Sequence, residues 1–538
     1  MRGRRGYHKL GRRDLVVGSS LALVACRTSS SVSIAALPPR STPEPSWGVQ
    51  SGDVSHGRAV VWSRSDRPAR MIVEWDNGAD FKSPRRLRGP AVSAGTDLTG
   101  KVVLDGLPAA ARVHYRVRFE AEAPSEWITG ALSTPPRPDD RSEPRDVLFA
   151  WSGDTNGQGW GIDPARGGMP AFAALLERSP QFFISCGDAI YGDDPILAEK
   201  AASDGTVWRN LVTPAKSHVA ETLDDFRGAH LYPRHCREVR ALSASAASFS
   251  IWDDHEVRNN WFPGEILNER VLALAKDAGV PRTEPRLDVL ATHARRAMIE
   301  HWPTLLPSAA PGVMYRSVPW GPLLEVFFVD GRSYRTANYP VPSVEAFFGA
   351  TQLAWLEGAL VRSKATWKVI ACNMPVALVI SEPASDGSGS DAFDAFANDS
   401  RSISGRELEL AHLFATLRAR DVGNVVWLTA DVHYAAAHRF DPSRAAFKDL
   451  DPFWEFVAGP MHASSFPRKR FDETFGPELA YASAGWDSFG SPASGEQYFG
   501  MVGIDGKTEV MTVTLVDARG RDLHTTTLSP RPSRAARD

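Results

Sequence analysis

The stretch best suited to chemistry is residues 253–256, Asp-Asp-His-Glu, which directly follows the apolar, β-prone run 249–252. Open α/β sheets build their sites in this way, with a buried strand that delivers polar groups at its carboxyl end. Three acids beside one imidazole repel each other and lose hydration on burial unless a cation lies among them. The stretch therefore predicts a cation site, and a solvated acidic turn is the alternative if it is taken alone.

Five further predicted strands run into polar residues of the same kinds. The segments that follow them are 152–157 (Ser-Gly-Asp-Thr-Asn-Gly), 187–194 (Gly-Asp-Ala-Ile-Tyr-Gly-Asp-Asp), 330–335 (Asp-Gly-Arg-Ser-Tyr-Arg), 372–375 (Cys-Asn-Met-Pro) and 430–434 (Ala-Asp-Val-His-Tyr). Oxygen and imidazole donors that arrive from so many consecutive strand ends are hard to explain as capped turns. The set as a whole favours a metal site.

The elements that must position these groups fall into two regions. Residues 46–136 contain short strand-like runs separated by Gly, Pro and Asp turn signals, which predict a small all-β sandwich of the immunoglobulin or fibronectin kind. After a Pro- and charge-rich linker, residues 146–530 alternate apolar strands with helices and predict an α/β domain. The strands predicted there are Val147–Trp151, Phe182–Cys186, Phe249–Trp252, Leu324–Val329, Val369–Cys372, Val425–Leu428 and Phe456–Ala458. The predicted helices are Met169–Arg178, Val289–His301, Ala350–Arg362 and Glu407–Arg420. In the last of them Leu408, Ala411, Phe414 and Leu417 repeat at three-residue spacing, which predicts one buried face.

Composition limits which partners and which disulfide bonds we expect. At 538 residues the chain has length for roughly two to three domains. No basic patch dominates it, so nucleic acid is not expected as a partner beyond a diester substrate. Beyond residue 26 only Cys186, Cys236 and Cys372 remain, and an odd number argues against a disulfide framework. We expect buried small hydrophobes, with a Cys186–Cys372 bridge as the alternative.

The first 26 residues have the layout of an export signal. Arg12 and Arg13 precede an uncharged apolar run, 15–25, that is too short to span a bilayer. Paired arginines indicate twin-arginine export. Residues 23–26, Leu-Val-Ala-Cys, resemble a lipobox in which Cys26 would be acylated; the alternative is an ordinary signal cleaved later. Residues 27–45 predict a flexible linker. We expect a periplasmic, lipid-anchored or secreted protein whose only membrane contact is a lipid at Cys26.

The order of these motifs resembles a known family. Asp-x-Asn, Gly-Asp-x-x-Tyr, Asp-Asp-His-Glu, Asn-x-Pro and Asp-Val-His, in that order, are similar to the binuclear metallophosphoesterases, and in particular to the alkaline phosphatase D (PhoD) type. Residues 47–53, 59–64, 330–335 and 349–356 also resemble its signatures. The resemblance implies an α/β (α+β) fold with a metallophosphoesterase-like β-sandwich core flanked by helices, preceded by the small all-β domain.

The resemblance also implies a ligand set. Asp188 would bridge two metals, with Asp154, Tyr191 and His433 completing one metal's shell and Asp254, Asn373 and Asp431 the other's. Asp253 would be an additional ligand or would support the ligands, His255 would lie over the phosphate, and Glu256 would orient His255. Arg335 would clamp the phosphate, and a salt bridge between core and surface is the alternative for this residue.

The implied activity is hydrolysis of phosphate mono- or diesters, or both, by in-line attack of a metal-activated water. The alternative is a noncatalytic surface lipoprotein whose degenerate phosphatase domain binds phosphate or a partner. The family's cysteine ligand has no counterpart in residues 152–156, so an iron–thiolate centre is in doubt. Tyr191 favours ferric iron and the carboxylates favour calcium, while manganese and zinc remain open. The Ser-, Gly- and Asp-rich stretch 381–399 predicts a mobile loop near the cleft, or else a surface loop.

Overall fold

The computed structural model describes residues 42–202, 205–305, 312–338, 345–383, 391–399 and 402–531. The predicted export signal, 1–26, and most of the predicted linker, 27–45, lie outside the described residues. Within the described ranges, no helix combines the length and the apolar character that crossing a bilayer requires.

Seven strands occupy the amino-terminal region, where short apolar runs alternate with turn residues. They are β1 (Val49–Ser55), β2 (Arg58–Arg64), β3 (Ala69–Asp76), β4 (Arg85–Val92), β5 (Thr99–Asp105), β6 (Arg112–Glu120) and β7 (Ile128–Ser133). One antiparallel sheet has the order β4-β3-β6-β7, and β1, β2 and β5 share a hydrophobic core with it.

Strands alternate with helices in the remainder of the chain. The strands are β8 (Val147–Ser152), β9 (Phe182–Cys186), β10 (Glu199–Ala201), β11 (Val207–Arg209), β12 (Ala247–Ile251), β13 (Arg316–Trp320), β14 (Leu324–Phe328), β15 (Trp367–Ala371), β16 (Ser381–Pro383), β17 (Asp391–Phe393), β18 (Val425–Thr429), β19 (Ala436–Phe440), β20 (Phe453–Val457), β21 (Pro477–Ala482), β22 (Tyr498–Ile504), β23 (Met511–Asp517) and β24 (Asp522–Leu528). The helices are α1 (Pro170–Glu177), α2 (Leu223–Leu231), α3 (Arg237–Ser245), α4 (Glu269–Asp277), α5 (Leu287–His301), α6 (Gly349–Arg362) and α7 (Glu407–Ala419).

Two large mixed sheets carry the strand ends that the sequence singles out. One has the order β24-β23-β22-β8-β9-β12-β1-β2-β5, and the other has the order β13-β14-β15-β18-β20-β19-β21. Strands β8, β9 and β12 are mutually parallel, and so are β14, β15, β18 and β20. Parallel strands present their carboxyl ends at the same edge of a sheet, so the polar segments gather there. This arrangement confirms the predicted mixed fold with a β-sandwich core.

The two sheets pack face to face, and helices cover their outer faces. Trp151 and Ile184 point into the core shared by the sheets, whereas Ala150 and Phe183 pack with α1 and α3. The Trp151 indole N–H donates to the carbonyl of Thr429 across the sandwich, at 3.2 Å. Strands buried on both faces read as continuous apolar runs, which is why the sequence reveals them.

The amino-terminal region is joined to this sandwich through the backbone. Strand β1 pairs in parallel with β12, with Ser51 opposite Ala247 and Gly52 opposite Ser248. Residues 46–136, interpreted from sequence as a small sandwich of their own, therefore share a sheet with the domain that follows. A Cβ at Gly52 would lie 2.4 Å from the Ser248 carbonyl, so the junction requires glycine.

Helix α7 corrects one detail of the sequence interpretation. The three-residue spacing of Leu408, Ala411, Phe414 and Leu417 predicted a single buried face. Leu408 is instead 41% exposed, and Leu410 and Leu413 are buried beside the other three. The helix packs between α6 and the outer face of the second sheet, and this contact is centred on the 410–417 side.

The three cysteines of the described residues are all buried and free. Cys186 Sγ lies 3.7 Å from the carbonyl oxygen of Leu428, and Cys372 Sγ lies 3.6 Å from Asn373 Oδ1. Their expected role as small buried hydrophobes is confirmed, and the alternative Cys186–Cys372 bridge is not formed.

A lysine from β5 ties the amino-terminal region to the end of α5. Lys101 Nζ donates to the carbonyls of Ile299 at 2.6 Å and Thr304 at 3.2 Å. Burial lowers the pKa of Lys101 to about 8, although the charges of Asp53 and Glu300 act in the opposite direction. The buried position of Lys101 therefore favours the neutral amine more than water does.

The lowered pKa of Lys101 makes the free energy of unfolding depend on pH. Because the folded pKa of about 8 lies below the ordinary lysine value of 10.5, the unfolded chain binds more protons between these values. Relative to Lys101→Met, the wild type should therefore gain stability as pH rises through this window, by about 3 kcal/mol. Denaturant unfolding of both proteins at the two ends of the window measures the difference. A constant difference would contradict the assignment.

Candidate metal centre and active site

Three overlapping groups of metal-ligand side chains lie where β8, β9, β12 and β18 end. The groups are Asp154, Asp188 and His433; Asp188, Asp254 and His255; and Asp253, Asp254 and Asp431. Within each group, the ligand atoms lie within 4.8 Å of one another. Asp188 and Asp254 each belong to two groups, so the three groups form one continuous cluster, called here the acid cluster.

Strained turns aim these side chains at one another. The non-glycine residues of the cluster with left-handed backbone are Asp154 (φ 62°), Asp188 (φ 48°), Asp431 (φ 68°) and His433 (φ 62°). Such conformations are uncommon outside glycine and persist only where the surrounding structure holds them. Gly187 precedes Asp188 with φ 103°, and a Cβ there would lie 2.5 Å from that of Asp253. The turns therefore allow β9 and β12 to deliver their acids side by side.

The buried carboxylates of the acid cluster would be stabilised by bound cations. Asp154 is 1% exposed, and neither of its carboxylate oxygens has a hydrogen-bond partner among the described residues. Burial, reinforced by repulsion from neighbouring acids, raises the pKa of Asp154, Asp188 and Asp431 well above the ordinary range. Buried acids without partners are costly unless a positive charge lies among them. The residues present therefore fit metal ions.

Tyr191 and His433 complete one corner of the cluster. The Tyr191 hydroxyl lies 2.9 Å from His433 Nε2, which is itself 3.6 Å from Asp154 Oδ1. His433 Nδ1 lies 2.6 Å from the Ser464 carbonyl, which can only accept, so Nδ1 carries the proton and Nε2 offers a lone pair. Burial lowers the pKa of His433 to about 3, consistent with a neutral ligand.

His255 is held as a cation at the edge of the cluster. Its Nδ1 donates to Asp193 Oδ1 at 2.8 Å, and its ring stacks on Tyr191 with centroids 4.1 Å apart. Burial opposes its charge, but the carboxylates of Asp193 and Asp254 outweigh burial and raise the pKa of His255 to about 10. Asp193, which the sequence interpretation left without a role, is thus the residue that orients His255, and the expectation for Glu256 was wrong.

Glu256 instead fastens two ligand turns together. Its carboxylate is fully buried and accepts the backbone N–H groups of Asp188 at 3.0 Å, Ala189 at 2.7 Å and Asp253 at 2.7 Å. These donors come from the turns that follow β9 and β12. One side chain therefore fixes the spacing between the acids that the two strands supply.

We expect Glu256→Gln to loosen both turns. Glutamine offers a single acceptor oxygen, and its amide N–H₂ would face a backbone N–H. The loss of about one to two hydrogen bonds to a charged acceptor should cost about 3 kcal/mol of stability. Unfolding and metal content measure the effect, with the exposed Glu143→Gln as the matched control. Wild-type stability in E256Q would contradict this role.

Asp253 is tied to the second sheet through one of its oxygens. Arg332 Nε and Asn373 Nδ2 both donate to Asp253 Oδ1 at 2.6 Å. The other two nitrogens of the Arg332 guanidinium donate to the two carboxylate oxygens of Asp394, at 2.9 and 2.8 Å. The Arg332 side chain is fully buried. Arg332 and Asp394 were not predicted as site residues. Asp394 lies in the stretch expected to be a mobile loop, but it is 1% exposed.

Arg335 belongs to this buried ionic network. Its Nη1 lies 3.2 Å from Asp394, its guanidinium lies over the ring of Phe347, and the residue is 4% exposed. Burial, together with the nearby charge of Arg406, lowers the pKa of Arg335 well below its ordinary value. Arg335 is thus one ionic contact further from the acid cluster than Arg332. Its salt bridge is with another buried residue and is not the core-to-surface bridge given as the alternative, and its role as a phosphate clamp stays a prediction.

The structure brings the predicted ligands together. Seven of the predicted ligands lie in the acid cluster or contact it directly: Asp154, Asp188, Tyr191, Asp253, Asp254, Asp431 and His433. Asn373, the eighth, contacts Asp253 through Nδ2, so its Oδ1 remains a ligand-type atom. The three cysteines of the described residues belong to none of these groups.

Parallel strands of two packed sheets that converge on buried acids, an imidazole and a phenol define a metallophosphoesterase-like fold. The solved "Structure of PhoD" superposes with a TM-score of 0.65 at 19% identity, over 93% of this chain and 94% of that one. A purple acid phosphatase isolated from yellow lupin (Lupinus luteus) seeds superposes with a TM-score of 0.54 at 11% identity, over 91% and 74%.

Sequence comparison gives the family. The PhoD-like phosphatase family matches residues 149–515, and the PhoD-like phosphatase N-terminal domain matches residues 31–136. Alkaline phosphatase D of Bacillus subtilis (strain 168) is 24% identical over 447 residues, which cover 78% of this chain and 69% of that protein. The chain belongs to the PhoD-like phosphatase family and is a hydrolase of phosphoric esters. The predicted resemblance and the predicted enzymatic class are both confirmed.

Proposed function

We propose that the protein hydrolyses phosphate mono- or diesters, or both, using two or more metal ions held by the acid cluster. The observation that carries the proposal is the buried Asp154 carboxylate, whose two oxygens have no hydrogen-bond partner among the described residues and lie inside a ring of ligand-type atoms. Asp188 is the natural shared ligand, because it belongs to the groups on either side of it. Small phosphate esters are the substrates that the family implies.

Two sets of donors would hold the metals. Asp154, Tyr191 and His433 would hold one ion, and Asp254, Asn373 and Asp431 the other, with Asp253 as a further donor. When bound, the ions would neutralise phosphoryl charge and supply a water of lowered pKa for in-line attack. Oxygen donors outnumber nitrogen in both sets, which favours hard cations. We therefore expect iron or calcium first, and manganese or zinc second.

His255 is the proposed catalytic side chain. Because Nδ1 is bound to Asp193, Nε2 is the free nitrogen of the imidazolium. From there it can donate a hydrogen bond to a phosphoryl oxygen or to the leaving oxygen, and stabilise the negative charge that develops on it. Its stacking on Tyr191 keeps the ring beside the acid cluster.

The test is metal content combined with turnover of two substrates. Elemental analysis of the purified protein should find at least two metal ions per chain. Hydrolysis of nitrophenyl phosphate and bis(nitrophenyl) phosphate, before and after chelation, should show chelator-sensitive turnover, and the ratio of the two rates separates monoester from diester preference. Turnover unaffected by complete metal removal would refute the proposed mechanism.

The export that the first 26 residues suggest is part of the proposal. The paired arginines, the short apolar run and Cys26 support twin-arginine export, with periplasmic, lipid-anchored or secreted protein as the outcome. Fractionation of cells that express the wild type, Cys26→Ser and a variant with both Arg12 and Arg13 replaced by Lys tests it. Loss of membrane association in C26S alone would support the lipid anchor. Unchanged location of all three proteins would refute the export route.

A further inference from the structure

A cavity of about 70 Å³ lies on the far side of the ligand turns from the acid cluster. Strands β1, β9 and β12, the segment from α2 to α3 and the end of α5 enclose it. Its polar lining includes Thr155, Ser185, His230, Arg234, Ser243 and His301. The rest of the lining is largely apolar and no carboxylate belongs to it, so its polar part consists of neutral groups and one cation.

Arg234 is the cation: its guanidinium lies over the ring of Trp62, and no carboxylate among the described residues pairs with it. The residue is 6% exposed, its Nη2 donates to Gln50, and its Nη1 has no partner among the described residues. Burial lowers the pKa of Arg234 to about 9, so the guanidinium remains charged at neutral pH. The titratable groups that act on this pKa are Tyr115 and Arg240, neither of which is a carboxylate. A buried charge without a counter-charge is strongly unfavourable.

A second unpartnered polar atom lines the same cavity. His230 is 6% exposed, and its Nε2 has no hydrogen-bond partner among the described residues. The hydroxyl groups of Ser185 and Ser243, which also line the cavity, can turn toward a bound group. Water could satisfy these hydrogen-bonding groups, but it could not balance the charge of Arg234.

We propose that this cavity binds one small inorganic anion, phosphate or a halide, against Arg234 Nη1 and the His230 ring. The volume exceeds the roughly 10–15 Å³ that a single water needs. A guanidinium edge with a free N–H group is suited to such anions, and oxyanions match its planar geometry best. The proposal does not depend on the substrate or the metals of the acid cluster.

The cavity's position gives the anion a structural role. Thr155 and Ala189 line it, and these residues immediately follow Asp154 and Asp188 in the ligand turns. The backbone N–H of Thr155 also donates to the carbonyl of Asp188 at 2.8 Å. The anion would therefore brace the floor of the ligand turns against Arg234, which lies just beyond α2.

Crystals of the full chain soaked in bromide test the site directly. An anomalous peak within hydrogen-bond distance of Arg234 Nη1 is expected for a halide, and a tetrahedral density at the same place after a phosphate soak would identify the oxyanion. Density for water alone after both soaks would overturn the proposal.

Thermal unfolding tests the site in solution. Sodium chloride, compared with sodium gluconate at matched ionic strength, should raise the Tm of the wild type by a few degrees in a saturable way. Arg234→Gln should lose this shift, whereas Arg237→Gln, whose side chain is 86% exposed, should keep it. Equal shifts in wild type and R234Q would overturn the proposal. If R234Q does not fold, the bromide soak of the wild type decides.

Discussion

Asp188→Asn is expected to abolish phosphate-ester turnover and to deplete bound metal while the fold stays intact. Asp188 belongs to two of the three ligand groups, so its replacement by a neutral amide weakens both sides of the acid cluster. We expect kcat/KM to fall by about 10³-fold or more, equivalent to about 4 kcal/mol of transition-state stabilisation. Steady-state kinetics and elemental analysis of the same preparations measure the two losses.

The stability of D188N separates a ligand from a structural acid. Burial and the surrounding acids raise the pKa of Asp188, so its charge destabilises the metal-free protein. Metal-free D188N should therefore be at least as stable as the metal-free wild type, while the metal-loaded wild type should be more stable than both. Asp522→Asn is the matched control, because its side chain is largely exposed and pairs with Arg178. It should change neither phosphate-ester turnover nor the free energy of unfolding. Full turnover in D188N would disprove its role as the shared ligand.

The strands of this fold could be predicted from sequence because they are buried on both faces. Strand β9 coincides with the predicted Phe182–Cys186, since a strand buried between a helix layer and a second sheet is mostly apolar, and Ser185 is its one polar residue. The ligands could be predicted because polar residues directly follow each of these apolar runs. The pairing of β1 with β12 was not readable, because its partners lie almost two hundred residues apart and leave no local pattern.

The support for the site was harder to predict than its ligands. Glu256 acts on backbone N–H groups, which every residue except proline has, so nothing in the sequence marks its partners. Asp394 lies in a Ser-, Gly- and Asp-rich stretch whose composition indicates a loop, yet two arginines draw its carboxylate into the interior. Buried ion pairs have no characteristic spacing, so the sequence did not mark Arg332 as the partner of Asp253 and Asp394.

Arg332→Met is expected to be the most destabilising single change in this ionic network. The guanidinium is fully buried and is bound by Asp253 and by both oxygens of Asp394. Methionine fills much of the same space but leaves two buried carboxylates without their strongest partner. Removing one member of a buried ion pair costs about 3–5 kcal/mol, because the remaining charge is uncompensated. Denaturant unfolding should show this loss, and metal content should fall as Asp253 loses its position.

Two further variants separate charge balance from packing. Arg335→Met, three residues away, should cost less than R332M, because Arg335 shares Asp394 with Arg332 and burial already lowers its pKa. Arg332→Met combined with Asp394→Asn should recover part of the loss, since the double change removes one of the two uncompensated acids. An R332M protein as stable as R335M would show that the ionic network does not hold Asp253. A double variant no better than R332M would locate the cost in packing rather than charge.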